Sequence, residues 1–306
     1  MKYAISIKLK ELGYIPYIIG TRKKRHNSNI TFINQTSNLV IIKNNYTEIR
    51  EDDYDVLMVN SDQTWRKWDK HFYDYAFLKF AENWKIKKFV YGASIGFDKW
   101  KLTKKDDKIA KNLLKNFTGI SVREEGSIKL INKHLKIKPI LVLDPTLLID
   151  KTYYFDIIKD YQGKQIMKGK YIFMYSTFNN QLLRNLTKKA GELLNYDIYY
   201  YELNNKSLIQ DFIFYIVNSQ AVITHSFHGS IFSIIFNKPF ITIYHKRDAK
   251  ERFNSLGKIF QVQQRLFERG DNINFEQLLK PLKINRRSLN SLKLKSIKFI
   301  KENLEK

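Results

Sequence analysis

Short apolar runs recur along this chain of 306 residues, and each stops abruptly at a polar or glycine-bearing cluster before a helical pattern begins. Residues 55–59 end at Asn60-Ser61-Asp62, and residues 87–91 lead into Gly92-Ala93-Ser94-Ile95-Gly96. Residues 119–122 run into Arg123-Glu124, and residues 140–143 stop at Asp144-Pro145. Helical spacing of apolar residues marks 3–12, closed by Gly13, and again 106–116 and 125–135. Residues 14–19 and 38–42 read as further strands. Strands that alternate with helices in this way predict α/β architecture with mainly parallel sheets.

The stretch 150–170 is charged, carries two glycines and has weak apolar periodicity, so it reads as a linker. Beyond it the pattern restarts. Strands are predicted at 171–175, 197–201, 221–224 and 240–244, with helices at 181–194, 207–218 and 229–237. A basic amphipathic helix at 286–304 closes the chain. The expectation is two Rossmann-like domains, 1–150 and 151–306, with a cleft between them. Ligands of such sheets bind beyond the C-terminal ends of the strands, so the residues that follow strands are the candidates for function.

Composition narrows the chemistry. There is no cysteine, which removes disulfides, thiolate-bound metals and a thiol nucleophile, and fits a cytoplasmic protein. The apolar fraction of 43% supplies enough material for two cores. No signal-peptide pattern is visible, and no apolar run approaches the ~20 residues of a membrane span. The formal net charge of +24 favours anionic partners, although abundant surface lysine accounts for much of it. No nucleic-acid-binding motif accompanies that charge, so nucleic acid is not expected as a partner.

The most informative cluster is His225-Ser226-Phe227-His228-Gly229-Ser230, placed between a strand and a helix. Amides at a helix N-terminus make an anion site, Gly229 admits close approach, and His228 is able to donate a proton near neutral pH. Lys246 and Arg247 follow the next strand and bring cations to the same sheet edge. The same residues also fit a plain structural role, with Ser226 as an N-cap and His228 as a polar residue of the first turn. In the first half, Ser61, Asp62 and Gln63 beside Trp65 and Trp68 suit a sugar, whose hydroxyls take hydrogen bonds while a ring covers its apolar face. A capped turn over a buried Trp explains them equally. Arg123 is able to grip a carboxylate or phosphate with two hydrogen bonds, or to pair with a neighbouring Glu. Asp144-Pro145 reads as a structural turn.

Taken in order, these stretches resemble the polysaccharide pyruvyl transferase family: Ser61-Asp62-Gln63-Thr64-Trp65, Ala93-Ser94-Ile95-Gly96, Ser121-Val122-Arg123-Glu124, Leu143-Asp144-Pro145-Thr146, and Thr224 through Ser233 with Asn237-Lys238-Pro239. The resemblance implies a GT-B-like pair of domains with the site between them. It also implies phosphoenolpyruvate as donor, a sugar or lipid-linked glycan as acceptor, a pyruvate ketal as product, and no metal or other cofactor. It makes His228 the expected acid. Arg123, Ser226, Gly229, Lys246 and Arg247 are then expected on the donor side, and Ser61, Asp62, Gln63 and Trp65 on the acceptor side. Some relatives carry Arg where Ser226 stands, and Asn60 stands where Gly is usual. The family's first strand and its glycine loop have no counterpart here, so the N-terminal domain is expected to lack that strand. A cytoplasmic enzyme working beside the inner membrane surface fits this reading. Two other functions remain open on the sequence: a nucleotide-sugar glycosyltransferase, for which only Glu202 and Asp211 offer a ribose-binding carboxylate, and a non-catalytic glycan-binding relative.

Overall fold

The computed structural model describes residues 4–20, 36–41, 46–163, 167, 169–204 and 206–305. Helix α1 (Ala4–Glu11) precedes a parallel pair of strands, β1 (Tyr17–Gly20) and β2 (Asn38–Ile41). A four-stranded sheet follows, in the order β3 (Val56–Val59), β4 (Lys87–Ala93), β5 (Gly119–Val122), β6 (Ile140–Leu141), with every pairing parallel. Its crossovers contain α2 (Phe72–Phe77), α3 (Lys104–Leu114) and α4 (Glu125–Leu135). Among the described residues β3 is one edge of this sheet.

After α5 (Lys151–Ile158) the second half builds a five-stranded sheet. Its strands are β7 (Tyr171–Ser176), β8 (Asp197–Glu202), β9 (Ala221–Thr224), β10 (Phe240–Tyr244) and β11 (Leu266–Glu268), in the order β11-β10-β9-β7-β8, again all parallel. Helices α6 (Gln181–Leu194), α7 (Ile209–Asn218), α8 (Phe227–Ile235) and α9 (Lys246–Phe260) connect them, and α10 (Arg286–Leu304) ends the chain. The architecture is thus α/β with two parallel, Rossmann-like sheets. The central strands are buried along their whole length, as in sheets covered on both faces: β7, β9 and β10 expose no residue. Their helices carry the matching stripe; α6 buries Leu183, Thr187, Ala190 and Gly191 at helical spacing.

The structure departs from the expected pattern after residue 150. The segment read as a linker contains α5, capped by Asp150, whose side chain accepts from Thr152 N. Its Tyr154 is buried edge-on against Phe232 of α8, at 5.1 Å between centroids. The stretch after Tyr244, to which the sequence pattern assigns no element, forms helix α9.

Two helices from the second half lie against the first. The buried face of α10 sets Phe299 beside Phe89 and Tyr91 of β4. On the same face Ser296 Oγ accepts from Leu143 N at 2.9 Å, and Asn303 Oδ1 accepts from Thr118 Oγ1 at 2.7 Å. Gly119 is needed there, because a Cβ would fall 2.5 Å from Asn303 Oδ1. Helix α9 packs on α4, where Glu125 N donates to Ser255 Oγ at 2.9 Å. One apolar cluster consequently runs from β4 and α1 through the second sheet to α10.

The loop after β3 is pinned by Asp106, third residue of α3. Its carboxylate completes a capping box with Thr103, accepts from Lys67 Nζ at 2.8 Å, and takes a hydrogen bond from the Tyr73 hydroxyl. Burial pushes its pKa up, but the Lys67, Tyr73 and Thr103 bonds outweigh burial and hold it well below the usual range. A depressed folded pKa contributes stability above the unfolded value of about 4, and that contribution fades as pH falls below it. Asp106→Asn is therefore expected to cost about 2 kcal/mol at pH 7. The gap in melting temperature from wild type should narrow toward pH 3, which thermal denaturation at the two pH values checks.

Candidate active site

The C-terminal ends of both sheets meet, and the motif residues converge at that seam. Arg123 leaves β5 with a side chain only 1% exposed. Its Nη1 donates to Asp144 Oδ2 at 2.7 Å and its Nη2 to Asp62 Oδ1 at 3.0 Å, while Nε faces Glu124 Oε2 at 3.6 Å. The second half closes over this group. The ring of Phe227 lies 4.7 Å from the guanidinium carbon, and Nε2 of His228 stands 3.6 Å from Asp144 Oδ2. Asp144 thus sits between an arginine of its own half and a histidine of the other.

The turn at Asp144 is real, and it also has a second purpose. Oδ1 caps the short turn at Pro145–Leu147 by accepting from Thr146 N at 3.1 Å and Thr146 Oγ1 at 2.7 Å, leaving Oδ2 for Arg123 and His228. The Tyr91 hydroxyl donates to Leu143 O, and the Tyr154 hydroxyl to Thr146 O, both at 2.9 Å, so the backbone on either side is fixed. Burial pushes the Asp144 carboxyl up. The His228 contact, the Arg123 charge and the Thr146 bond together hold it well below the usual carboxylate range. It stays ionised, and sequence reading placed this aspartate in a structural turn alone. The available signal was an aspartate at the end of a strand.

His228 lies in the first turn of α8, 14% exposed at the side chain. Ser226 is the N-cap, its Oγ accepting from Gly229 N at 3.5 Å. Gly229 does not open the backbone toward the cleft: a Cβ there would lie 2.5 Å from Thr224 Oγ1, so the glycine serves close packing of α8 on β9. His225 is the other histidine of the motif. Its Nε2 accepts from Thr177 N at 3.0 Å, and burial, helped by Arg252, pulls its pKa down to about 4. It is neutral at pH 7, a fixed acceptor rather than a proton donor.

On the first half, Asp62 holds a positive φ of 97°, rare outside glycine, with its side chain 59% exposed beside Arg123. Its carbonyl accepts from Ser94 N at 2.9 Å and Thr64 N at 2.7 Å, which holds the turn. Burial raises the Asp62 pKa, but Arg123 and then His228 bring it below its ordinary value. Ser61 is buried and donates its hydroxyl to Gly92 O at 2.9 Å. Gln63 Oε1 accepts from Arg66 Nη1 at 3.1 Å, and its side chain packs against Gly96. The expectation that Trp65 faces a sugar is corrected: the ring is 2% exposed in the first core, with its indole nitrogen donating to Ala76 O at 3.2 Å. Trp68, 60% exposed with the Arg66 guanidinium 4.0 Å from its ring centroid, is the open indole of that loop. Lys246 and Arg247 start α9 directly after β10; their side chains lie outside the described residues.

The family model for polysaccharide pyruvyl transferases matches residues 3–247, which include all of these residues. The chain belongs to this family. Polysaccharide pyruvyl transferases are transferases, and the family implies a sugar or glycan acceptor for this one. No curated protein matches the chain. A crystal structure of Acinetobacter baumannii MurG aligns at a TM-score of 0.45 and 11% identity, covering 97% of this chain and 90% of that one. Among the described residues no group of three or more His, Asp or Glu is arranged to hold a metal ion, and no helix is long and apolar enough to cross a membrane.

The ion pair at the centre sets a stability test. Arg123→Met leaves Asp144 buried beside a histidine alone, and loss of one partner of a buried pair costs about 3–5 kcal/mol. Urea denaturation should show that loss. The double variant with Asp144→Asn should recover part of it, because the uncompensated charge is gone.

Proposed function

We propose that this pyruvyl transferase takes its pyruvyl group from phosphoenolpyruvate and closes it as a ketal across two hydroxyls of a sugar. The observation that carries this reading is the buried Arg123–Asp144 pair presenting a carboxylate to His228 across the seam. An ionised Asp144 orients the imidazole across the seam, as a catalytic acid needs.

In the proposed reaction His228 delivers a proton to the methylene carbon of the donor. The carbon that bears the phosphate becomes oxocarbenium-like, and one sugar hydroxyl adds to it and releases its proton. The carbon–oxygen bond to phosphate breaks, phosphate leaves with the bonding electrons, and the second hydroxyl adds and loses its proton. One proton enters the methyl group, and the two from the hydroxyls are divided between phosphate and His228, which restores the acid. The reaction is written without a metal or cofactor, since a histidine and several cations supply the proton and the neutralising charge.

We assign Arg123 to holding Asp144, because the structure commits its two Nη groups to carboxylates. Lys246 and Arg247, by their place at the start of α9, are assigned to the donor, as are the amides of the α8 N-terminus capped by Ser226. Asp62 and Gln63, on the first half, are assigned to the acceptor. With that division, residues 1–150 form the acceptor side and 151–306 the donor side. A cytoplasmic site beside the inner membrane leaflet would suit a lipid-linked acceptor for so basic a chain.

The test incubates the protein with phosphoenolpyruvate and a panel of lipid-linked and nitrophenyl sugars, following phosphate release and acceptor mass. The expected gain is one pyruvyl ketal. His228→Ala should lower kcat by about 10²-fold or more, in the range of a lost general acid. Asp144→Asn should lower kcat with little change in KM for phosphoenolpyruvate, because it disturbs the acid and not the donor contacts. Transfer from a nucleotide sugar with no use of phosphoenolpyruvate would replace this reading by a glycosyltransferase.

A further inference from the structure

Among the described residues the Nε of three arginines, Arg123, Arg252 and Arg265, is buried without a hydrogen bond, and the rest of each guanidinium is met differently. Arg123 is met by carboxylates. Arg265 is buried beneath the second sheet, where Nη1 donates to Phe240 O and Gln277 O and Nη2 to Lys280 O and Pro281 O. Arg252, half-buried, has neither kind of partner: among the described residues no hydrogen bond or ion pair reaches its guanidinium.

Its position is closely set. Helix α9 is held to the first half by Asp98, whose carboxylate accepts from Lys250 N at 3.1 Å and Glu251 N at 3.0 Å. The helix is held again by Ser255 on Glu125 N. Gly126 leaves no room beside Glu251: an added Cβ would lie 2.7 Å from the Glu251 Cβ. Phe253 stacks on Tyr244 at 4.7 Å and lies 6.2 Å from Phe227, the ring that covers Arg123. Arg252 lies between these fixed points, within electrostatic reach of Arg123, Glu124, Asp62 and Arg66, and of His225 at the end of β9. A partly buried guanidinium near other cations gains from an anion that joins it, and its planar fork fits a phosphate or carboxylate with two hydrogen bonds.

We propose that Arg252 is a donor-binding residue, whose unpaired guanidinium receives the phosphate or carboxylate group of the anionic donor at the seam between the two sheets. This rests on the donor reading above. It gives the chain a cation for the donor that is fixed by helix packing. Burial, and then Arg123, pull the Arg252 pKa down, which accords with a cation lacking its counter-charge.

Titration calorimetry with phosphoenolpyruvate, and separately with inorganic phosphate, on the full chain and on Arg252→Gln and Arg252→Lys decides the matter. Arg252→Gln is expected to weaken phosphoenolpyruvate binding at least 10-fold while melting near the wild-type temperature, because it removes a half-buried charge that makes no hydrogen bond within the described residues. Arg252→Lys should fall between, since it keeps the charge and loses the fork. In turnover, KM for phosphoenolpyruvate should rise more than kcat falls. Equal affinity in Arg252→Gln and wild type overturns the assignment and leaves the donor reading standing. So does an Arg252→Gln protein that melts well below wild type with unchanged affinity, which would place Arg252 in the fold alone. Wild-type protein that binds phosphate but not phosphoenolpyruvate, with phosphate lost in Arg252→Gln, supports the anion role and overturns the donor. Binding of neither ligand by wild type overturns both.

Discussion

The contact between Arg123 and Asp144 is the one on which the geometry of the seam depends. Both groups are almost wholly withdrawn from water, and desolvating them costs several kcal/mol each. Such a pair is tolerable only when the remaining hydrogen-bonding positions are filled. Most of them are: Thr146 takes the other carboxylate oxygen, Asp62 takes the other Nη, and Phe227 lies over the guanidinium, while Nε faces Glu124 Oε2 at 3.6 Å without a hydrogen bond. The pair fixes a negative charge at the C-terminal edge of the first sheet. The second sheet then brings a histidine to that charge, and no other residue of its motif is so placed.

Such an arrangement requires the two halves to be held in register. A His228–Asp144 separation of 3.6 Å is a charge contact just short of a hydrogen bond, so a shift of an ångström in either half would change its character. The clamp is the pair of helices that cross the seam. α10 delivers Phe299, Ser296 and Asn303 to β4, to Leu143 beside Asp144 and to the start of β5. α9 is tied to Asp98 and to α4. The Ser296 bond acts on the residue directly before Asp144, so the last helix of the chain helps position the first half of the site.

Much of this was legible in the sequence, because parallel strands announce themselves as short buried runs with polar residues at their C-terminal ends. The second sheet's β7, β9 and β10 sit where the apolar runs lie. Helices with charged exteriors were harder to see. α5 carries two tyrosines and a phenylalanine beside polar residues, and the packing of Tyr154 on Phe232, with burial of Ile158, makes it a core element. The N-terminal half of α9 is Lys-Arg-Asp-Ala-Lys-Glu, which has no apolar stripe; its place is decided by Asp98 from the other half. Trp65 was misread for a related reason, since an indole beside polar residues looks the same in sequence whether it faces a cleft or the core. Asp144 was read as a turn, and it is one. A carboxylate has two oxygens, and sequence does not reveal the use of the second.

The division of labour at Asp144 bears on the proposed chemistry. When His228 gives its proton to the donor it loses its charge, and an aspartate paired with that histidine alone would be left buried and uncompensated at the moment of reaction. Arg123 removes that problem. Its guanidinium stays protonated throughout, so Asp144 remains an ion pair before and after the proton moves and need not take the proton itself. The penalty of a stranded buried charge, about 3–5 kcal/mol, would otherwise fall on the chemical step. The same commitment makes Arg123 a poor grip for the donor, because binding an anion would pull it from Asp144. A chain organised in this way needs a different cation for the donor, and Arg252, whose guanidinium makes no hydrogen bond among the described residues, is on the helix that closes the seam.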